Sequence, residues 1–210
     1  MKRRGVLLDR DGTLIDVVRD AELGVVVTAF HPSQLRLLPG VVEGLRLLAA
    51  HGFLLGVATN QPGAAKGQIR RDAITRTNAA LVAMLRAEGV EIASVAVCLH
   101  HPEGGPGGDV SLVGPCACRK PKPGLLRALI DELELEAAES FMVGDARTDI
   151  EAGVAAGTRT ALLLEQGRCE LCPLRGGQSD GRVALATPIA PDVVAGRFDQ
   201  VARAIVERSS

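Results

Sequence analysis

The 210-residue chain contains no tryptophan and no tyrosine, and only four phenylalanines. Proteins that bind single-stranded nucleic acid stack its bases on aromatic side chains, so this composition argues against such a partner. The formal net charge of −1 also provides no overall field that would attract nucleic acid or an anionic membrane. We therefore expect neither nucleic acid nor a membrane among its partners.

The sequence also lacks a long apolar segment. No apolar run reaches about 18 residues, the length needed to span a bilayer. The basic residues 2–4 are followed by only a brief apolar run before Asp9, which does not indicate a signal peptide. We expect a cytoplasmic protein, in which clustered cysteines bind a metal more often than they form disulfides.

Aliphatic residues are plentiful, and apolar residues make up 47% of the chain. Short apolar runs alternate with segments of helical periodicity, which predicts an α/β fold: a Rossmann-like three-layer sandwich with a mostly parallel central sheet. The length suits a single domain over residues 1–210. The prediction comprises strands at 5–8, 53–58, 92–98, 141–143, 159–164 and 193–194, helices at 41–50, 69–88, 124–135, 148–156 and 198–206, a hairpin-like flap at 13–28, a loop at 99–123 and a variable loop at 165–190.

Two carboxylates follow the first strand, Asp9 directly after it and Asp11 two residues later. Ligands of open α/β sheets bind outside the carboxyl ends of the strands, and paired carboxylates there suit Mg²⁺. A calcium loop is one alternative, but Gly12 and Thr13 stand at the wrong positions for it. A turn capped by Asp9 is another.

Polar residues of related chemistry follow other predicted strands and loops. Each alone has an ordinary structural explanation, such as a turn, a solvated charge or a helix cap. Together, at the same sheet edge, they indicate phosphoryl transfer, in which acids hold Mg²⁺ while the metal and a lysine neutralise phosphoryl oxygens. These residues are Thr59, Asn60, Arg119, Lys120, Asp145 and Asp149.

Taken in order, these motifs resemble those of the haloacid dehalogenase superfamily of phosphatases: Asp9-Arg-Asp-Gly-Thr, Thr59-Asn60, Lys120, and Gly144-Asp-x-x-x-Asp149. The segments Thr59-Asn-Gln-x-Gly, Cys98-x-His-His-Pro-Glu-Gly and Cys116-x-Cys-Arg-Lys-Pro narrow the resemblance to the heptose bisphosphate and histidinol phosphate phosphatases. It covers roughly residues 4–164 and 191–206. It implies a fold without a large cap domain and Mg²⁺-dependent hydrolysis of a small sugar phosphate, a heptose 1,7-bisphosphate at C7.

The resemblance also implies a role for each matching residue. Asp9 would be the nucleophile that forms an aspartyl-phosphate, and Asp11 the general acid and base. Mg²⁺ would be bound by Asp9, Asp145 and the Asp11 backbone carbonyl, with Asp149 in support. The phosphoryl group would be held by Thr59, Asn60 and Lys120, and the rest of the substrate by Gln61 and Arg119.

The pattern of cysteines and a histidine at and after the end of the third strand predicts a second metal site. Cys98, Cys116 and Cys118 with His100 provide three sulfurs and one imidazole, a closed set that suits structural Zn²⁺. Its expected effect is to order the 99–123 loop that carries Arg119 and Lys120. The adjacent His101 is the competing ligand, and the family pattern favours His100.

Several alternatives remain open at this stage. Cys169 and Cys172 could bind a further metal, form a disulfide or have no essential role, and two ligands are too few for a closed zinc site. Heptose phosphatases usually carry a tyrosine-containing flap, which this chain lacks, so histidinol phosphate or another small phosphate is the alternative substrate. A non-catalytic zinc-stabilised binding module is the alternative of a different class. We expect a monomer, because no aromatic cluster suggests an interface.

Overall fold

The computed structural model describes residues 2–20, 25–164 and 190–209. The predicted variable loop therefore lies outside the described residues except for Ala190, and so do Cys169 and Cys172. The strands are β1 (Gly5–Leu8), β2 (Val18–Asp20), β3 (Val25–Val27), β4 (Leu54–Asn60), β5 (Ser94–Cys98), β6 (Phe141–Gly144), β7 (Arg159–Leu163) and β8 (Val193–Ala195). The helices are α1 (Val41–Ala50), α2 (Arg71–Ala87), α3 (Gly124–Glu132), α4 (Arg147–Ala156) and α5 (Phe198–Glu207).

Six strands form a parallel sheet in the order β5-β4-β1-β6-β7-β8, which confirms the predicted architecture. Helices cover both faces, so the central strand β1 is buried on both sides, as expected for a parallel sheet. Val6 and Leu8 point into the core shared with α1, α2 and α5. Leu7 points into the core shared with α3 and α4.

The predicted hairpin-like flap is present as the antiparallel pair β2 and β3, in which Val18 lies opposite Val27. Residues 21–24 between the two strands lie outside the described part of the chain. This pair forms a separate two-stranded sheet, and Thr28, which directly follows β3, contacts Asp11 after β1. No cap domain larger than this pair occurs among the residues that the structure describes.

Two predicted helix boundaries differ from the structure by two residues or more. The helix predicted at 69–88 begins at Arg71, because the amides of Gln68 and Ile69 donate to the Gly63 carbonyl and close a turn instead. The helix predicted at 124–135 ends at Glu132. Its continuation pairs with the N-terminal segment, where the amide of Arg3 donates to the carbonyl of residue 134.

Parallel strands place their carboxyl ends at one edge of the sheet. Because β4, β1 and β6 are neighbours, the residues that follow or end them come together there. This edge carries Asp9, Thr59 and Asp145, and the long loop after β5 returns to it with Lys120. Among the residues placed in the structure, we find no helix both long enough and apolar enough to cross a membrane.

Candidate active site

The lysine at the centre of the edge is Lys120, whose side chain is almost completely buried. Its Nζ lies 2.6 Å from Oδ1 of Asp9 and 2.6 Å from Oδ1 of Asp149. The backbone around it is held by Asn60, whose Oδ1 accepts from the Lys120 amide and whose Nδ2 donates to the Lys120 carbonyl, both at 3.1 Å. The predicted phosphoryl ligand Asn60 thus uses its amide group to position Lys120.

Three carboxylates surround this lysine. Oxygens of Asp9, Asp145 and Asp149 lie within 4.8 Å of one another. Two glycines make this approach possible, since a Cβ on Gly12 would lie 2.2 Å from Asp145 Oδ2 and a Cβ on Gly144 would lie 2.3 Å from Asp149. Gly12 also has a φ of +84°, which disfavours other residues.

The electrostatics of this cluster favour a bound cation. Burial raises the pKa of Asp9 to about 7, with Lys120 opposing the rise and the Asp149 and Asp11 carboxylates adding to it. Burial, Asp9 and Asp149 together raise the pKa of Asp145 to about 8. Burial alone would lower the pKa of Lys120, but Asp149 and Asp9 outweigh it and raise that pKa.

One lysine therefore faces three carboxylates, and burial together with their mutual repulsion raises the pKa of two of them, Asp9 and Asp145. Oxygen ligands of this kind suit Mg²⁺. The donor set fits the predicted magnesium site at Asp9 and Asp145. Asp149 also accepts from the Ala146 amide at 3.1 Å and contacts Lys120, which agrees with a supporting position.

The second aspartate of the first motif, Asp11, lies outside this carboxylate group. Gln61 donates from Nε2 to Asp11 Oδ2 at 2.6 Å and to Thr59 Oγ1 at 2.8 Å. Gln61 is only 1% exposed. It therefore connects the predicted acid–base residue with a predicted phosphoryl ligand, while its own contact with substrate remains a prediction.

Sequence reasoning missed three residues that surround Asp11. Arg10 donates to both Asp11 oxygens, Thr28 of the flap donates to Oδ1, and Asn78 of α2 accepts from Arg10. Nothing in the sequence links residue 78 to this site, because only the packing of α2 against the segment after the flap, at Phe30, brings it there. The buried Arg10 could have been noticed from its place between two motif aspartates.

The predicted zinc ligands converge as a group. Donor atoms of Cys98, His100, Cys116 and Cys118 lie within 4.8 Å of one another, and the Cys98 and Cys118 sulfurs are 3.0 Å apart. Burial and the Cys118 contact raise the pKa of the Cys98 thiol. A raised pKa means that deprotonation of this thiol is costly. A bound cation would stabilise the thiolate and offset that cost, so the four donors fit a closed zinc site. The competitor His101 does not join it and accepts from the Gly104 amide through Nδ1 at 3.0 Å.

This loop also rests on the segment after β4. The Asp109 amide donates to the Ala64 carbonyl at 2.9 Å. A Cβ on Gly108 would lie 1.9 Å from the Ala65 carbonyl oxygen, so the two backbones approach more closely than any side chain would allow. The glycine-rich part of the loop thereby orders the segment beside Thr59.

Two cations, Lys66 and Arg119, lie near His101, together with the carboxylate of Glu103. Burial lowers the pKa of His101, and the positive charges of Lys66 and Arg119 lower it further, because all three lie close together. Arg119 donates to the His100 carbonyl at 3.3 Å. Neither cation forms an ion pair with a carboxylate in residues 2–20, 25–164 and 190–209.

Comparison with known proteins agrees with this geometry. The model of the haloacid dehalogenase-like hydrolase family matches residues 17–157, and a HAD-hydrolase-like model matches residues 117–199. The D-glycero-β-D-manno-heptose-1,7-bisphosphate 7-phosphatase of Pasteurella multocida is 34% identical over 79% of this chain and 84% of that protein. The Escherichia coli K12 enzyme of the same name is 32% identical over 78% of this chain and 80% of its own length.

Solved structures show the same fold. The D,D-heptose 1,7-bisphosphate phosphatase of B. bronchiseptica, complexed with magnesium and phosphate, superposes with a TM-score of 0.72 at 24% identity. The superposition covers 98% of this chain and 99% of that one. A HAD-like phosphatase from Mesorhizobium loti gives a TM-score of 0.72 at 25% identity, over 98% and 87% of the two chains.

Proposed function

We propose a specific reaction for this chain, which belongs to the haloacid dehalogenase-like hydrolases. The reaction is Mg²⁺-dependent hydrolysis of D-glycero-D-manno-heptose 1,7-bisphosphate at C7, the activity named for its 34%-identical relative. The observation that carries the proposal is the buried Lys120 between Asp9 and Asp149, with Asp145 facing it. A lysine and several carboxylates at one sheet edge are the parts that phosphoryl transfer requires.

In the first step an Asp9 oxygen attacks phosphorus, and the bond between phosphorus and the sugar oxygen breaks. The departing oxygen takes its proton from Asp11, which enters this step protonated. In the second step Asp11 removes a proton from water, which attacks the aspartyl-phosphate and releases phosphate. Lys120 neutralises part of the phosphoryl charge throughout.

The metals have separate tasks. Mg²⁺ bound by Asp9, Asp145 and the Asp11 carbonyl would supply positive charge to the phosphoryl oxygens and keep Asp9 ionised. Zn²⁺ bound by Cys98, Cys116, Cys118 and His100 would have a structural effect, since all four of its positions are filled by the protein. Lys120 is two residues from Cys118, so ordering of the cysteine loop fixes the lysine as well.

The cations Lys66 and Arg119 support a substrate with a second phosphate. Arg119 directly precedes Lys120 in the chain, and both cations lie near His101. Neither forms an ion pair with a carboxylate in the described residues, so an anionic group would satisfy both. Histidinol phosphate carries an ammonium group that these cations would repel. The charge of this part of the site therefore favours a bisphosphate.

The test is phosphate release with Mg²⁺ from both anomers of heptose 1,7-bisphosphate, from histidinol phosphate and from hexose phosphates. We expect a large preference in kcat/KM for one heptose anomer, C7 as the position cleaved, and complete loss in Asp9→Asn. Equal efficiency across the panel would remove the heptose assignment but keep the phosphatase. No release from any compound would favour a zinc-stabilised binding module instead.

A second variant tests whether the substrate is a bisphosphate whose second phosphate Arg119 binds. Arg119→Ala should raise KM for the bisphosphate and leave KM for a sugar monophosphate almost unchanged, because only the former presents a second phosphate to this cation. Lys122→Ala, which removes an exposed cation three residues away, is the matched control. An equal rise in KM for both substrates would contradict the assignment.

We further propose that the enzyme is a single-domain monomer that acts in the cytoplasm. Its three described cysteines form no disulfide, as a reducing compartment favours. Sedimentation of the zinc-loaded protein at micromolar concentration should give the mass of one chain, and a dimer mass would contradict the proposal.

A further inference from the structure

We propose that Arg10 is a positioning residue that fixes the carboxylate of Asp11 for proton transfer to the departing sugar oxygen. This role rests on the proposed phosphatase function. Arg10 lies between Asp9 and Asp11 in the first motif. Its side chain contacts Asp11 and Thr28 of the flap.

The contact between Arg10 and Asp11 is a two-point one. Nε donates to Oδ2 at 3.0 Å and Nη2 donates to Oδ1 at 3.1 Å. Such a fork fixes the plane of a carboxylate as well as its distance. Gln61 contacts Oδ2 from another direction at 2.6 Å, so the Asp11 carboxylate has a defined orientation.

The guanidinium is itself fixed by the surrounding structure. Arg10 is 1% exposed, and its Nη1 donates to Asn78 Oδ1 of α2 at 2.6 Å. Its Nη2 donates to Thr28 Oγ1 at 2.5 Å and to the Ala29 carbonyl at 3.2 Å. Helix α2 and the end of the flap therefore hold Arg10 in place, and Arg10 transmits that placement to Asp11.

The orientation matters because a general acid must lie within hydrogen-bond reach of the atom it protonates. A sugar alkoxide leaves poorly without a proton, whereas p-nitrophenolate leaves readily without one. An Arg10 that positions Asp11 therefore affects these two kinds of ester differently. An Arg10 that only supports the local fold affects both equally.

The experiment compares kcat/KM for an alkyl phosphate that the wild type hydrolyses with kcat/KM for p-nitrophenyl phosphate. The value of kcat/KM depends on the steps up to departure of the leaving group. The later hydrolysis of the aspartyl-phosphate therefore does not affect it. Arg10→Lys keeps the charge but loses the fork. We expect it to lower kcat/KM for the alkyl ester by about 100-fold, the lower end of what a general acid contributes, and to leave the aryl ester nearly unchanged.

Two further variants make the result independent of a folding defect. Asn78→Ala removes the anchor of Arg10 and should show the same selective loss in milder form. Arg76→Lys, an exposed arginine of the same helix, is the matched control and should change neither ester. In an Asp11→Asn background, Arg10→Lys should cause no further loss on the alkyl ester, because the group it positions is already gone.

Equal losses on both esters, or additive losses with Asp11→Asn, would overturn the role of Arg10 while leaving the phosphatase assignment intact. A wild-type protein without activity on any phosphate ester would instead overturn the proposed function, and this role with it.

Discussion

Lys120 and Asp149 form an ion pair of 2.6 Å in which both side chains are only 2% exposed. Withdrawing two charges from water is costly, and such a pair often stabilises a protein no more than apolar residues of the same volume would. Removal of one partner is different, because the other is left buried and uncompensated. The pair therefore places an ammonium beside Asp9 at a cost that the rest of the fold must offset.

Lys120→Met should destabilise the protein by about 3–5 kcal/mol and abolish phosphate release, because it leaves buried carboxylates without their cation. Chemical denaturation of the zinc-loaded protein without added Mg²⁺ measures the free energy of unfolding without help from the active-site metal. Lys122→Met makes the same exchange at an exposed position, where it removes one hydrogen bond to the Cys116 carbonyl, and should cost only about 1 kcal/mol. Equal losses in the two variants would show that Lys120 is not paired as the structure has it.

The raised pKa values of Asp9 and Asp145, about 7 and about 8, predict how stability depends on pH without metal. The folded protein holds protons that the unfolded chain releases near pH 3.8, so stability should fall as pH rises from about 4 to about 8. Because Mg²⁺ binds the deprotonated carboxylates, it should raise the melting temperature more at pH 8 than at pH 6.

Thermal melts with and without Mg²⁺ across this range test that expectation. Asp145→Asn should flatten the pH dependence and shrink the effect of Mg²⁺, since it removes one titrating ligand. A Mg²⁺ effect that is larger at pH 6 than at pH 8 would contradict the assignment of these carboxylates to the metal.

The order of strands and helices was predictable because apolar runs and helical periodicity directly reflect burial. The meeting of Asp9, Thr59 and Asp145 was predictable too, since parallel strands end at one sheet edge. The four zinc donors were predictable from residue type, and the structure brings them together. In each case the sequence signal is local, or follows from a general rule of parallel sheets.

The contacts around Asp11 could not be predicted in this way. Asn78 is separated from Arg10 by 68 positions, and its contact depends on how α2 packs against the segment after the flap. The substrate contacts of Asn60 and Gln61 stay predictions, but the hydrogen bonds of their amide groups to Lys120 and Asp11 could not be predicted. Hydrogen-bond partners of buried amides depend on tertiary placement, which no periodicity records.

One Zn²⁺ per chain should be retained on purification and lost in Cys118→Ser, which removes a ligand of a closed site. The loss should lower the melting temperature and weaken the order of residues 99–123, which limited proteolysis detects. The matched control is the double variant Cys169→Ser/Cys172→Ser, which should keep both zinc and activity because the other cluster already provides four donors. Zinc lost from the control and kept in Cys118→Ser would reverse the assignment.

Thr13 offers a test in the opposite direction, towards greater stability. It is fully buried, and its Oγ1 has no hydrogen-bond partner among the residues described in the structure. A buried hydroxyl without a partner costs about 1–3 kcal/mol, so Thr13→Val should raise the free energy of unfolding by about 1 kcal/mol with little change of shape. Thr158→Val is the matched control, because that hydroxyl donates to the Gly153 carbonyl at 3.1 Å and its removal should destabilise the fold. If both variants lose stability, Thr13 has a partner in solution, and the first motif is held by one more hydrogen bond than the structure shows.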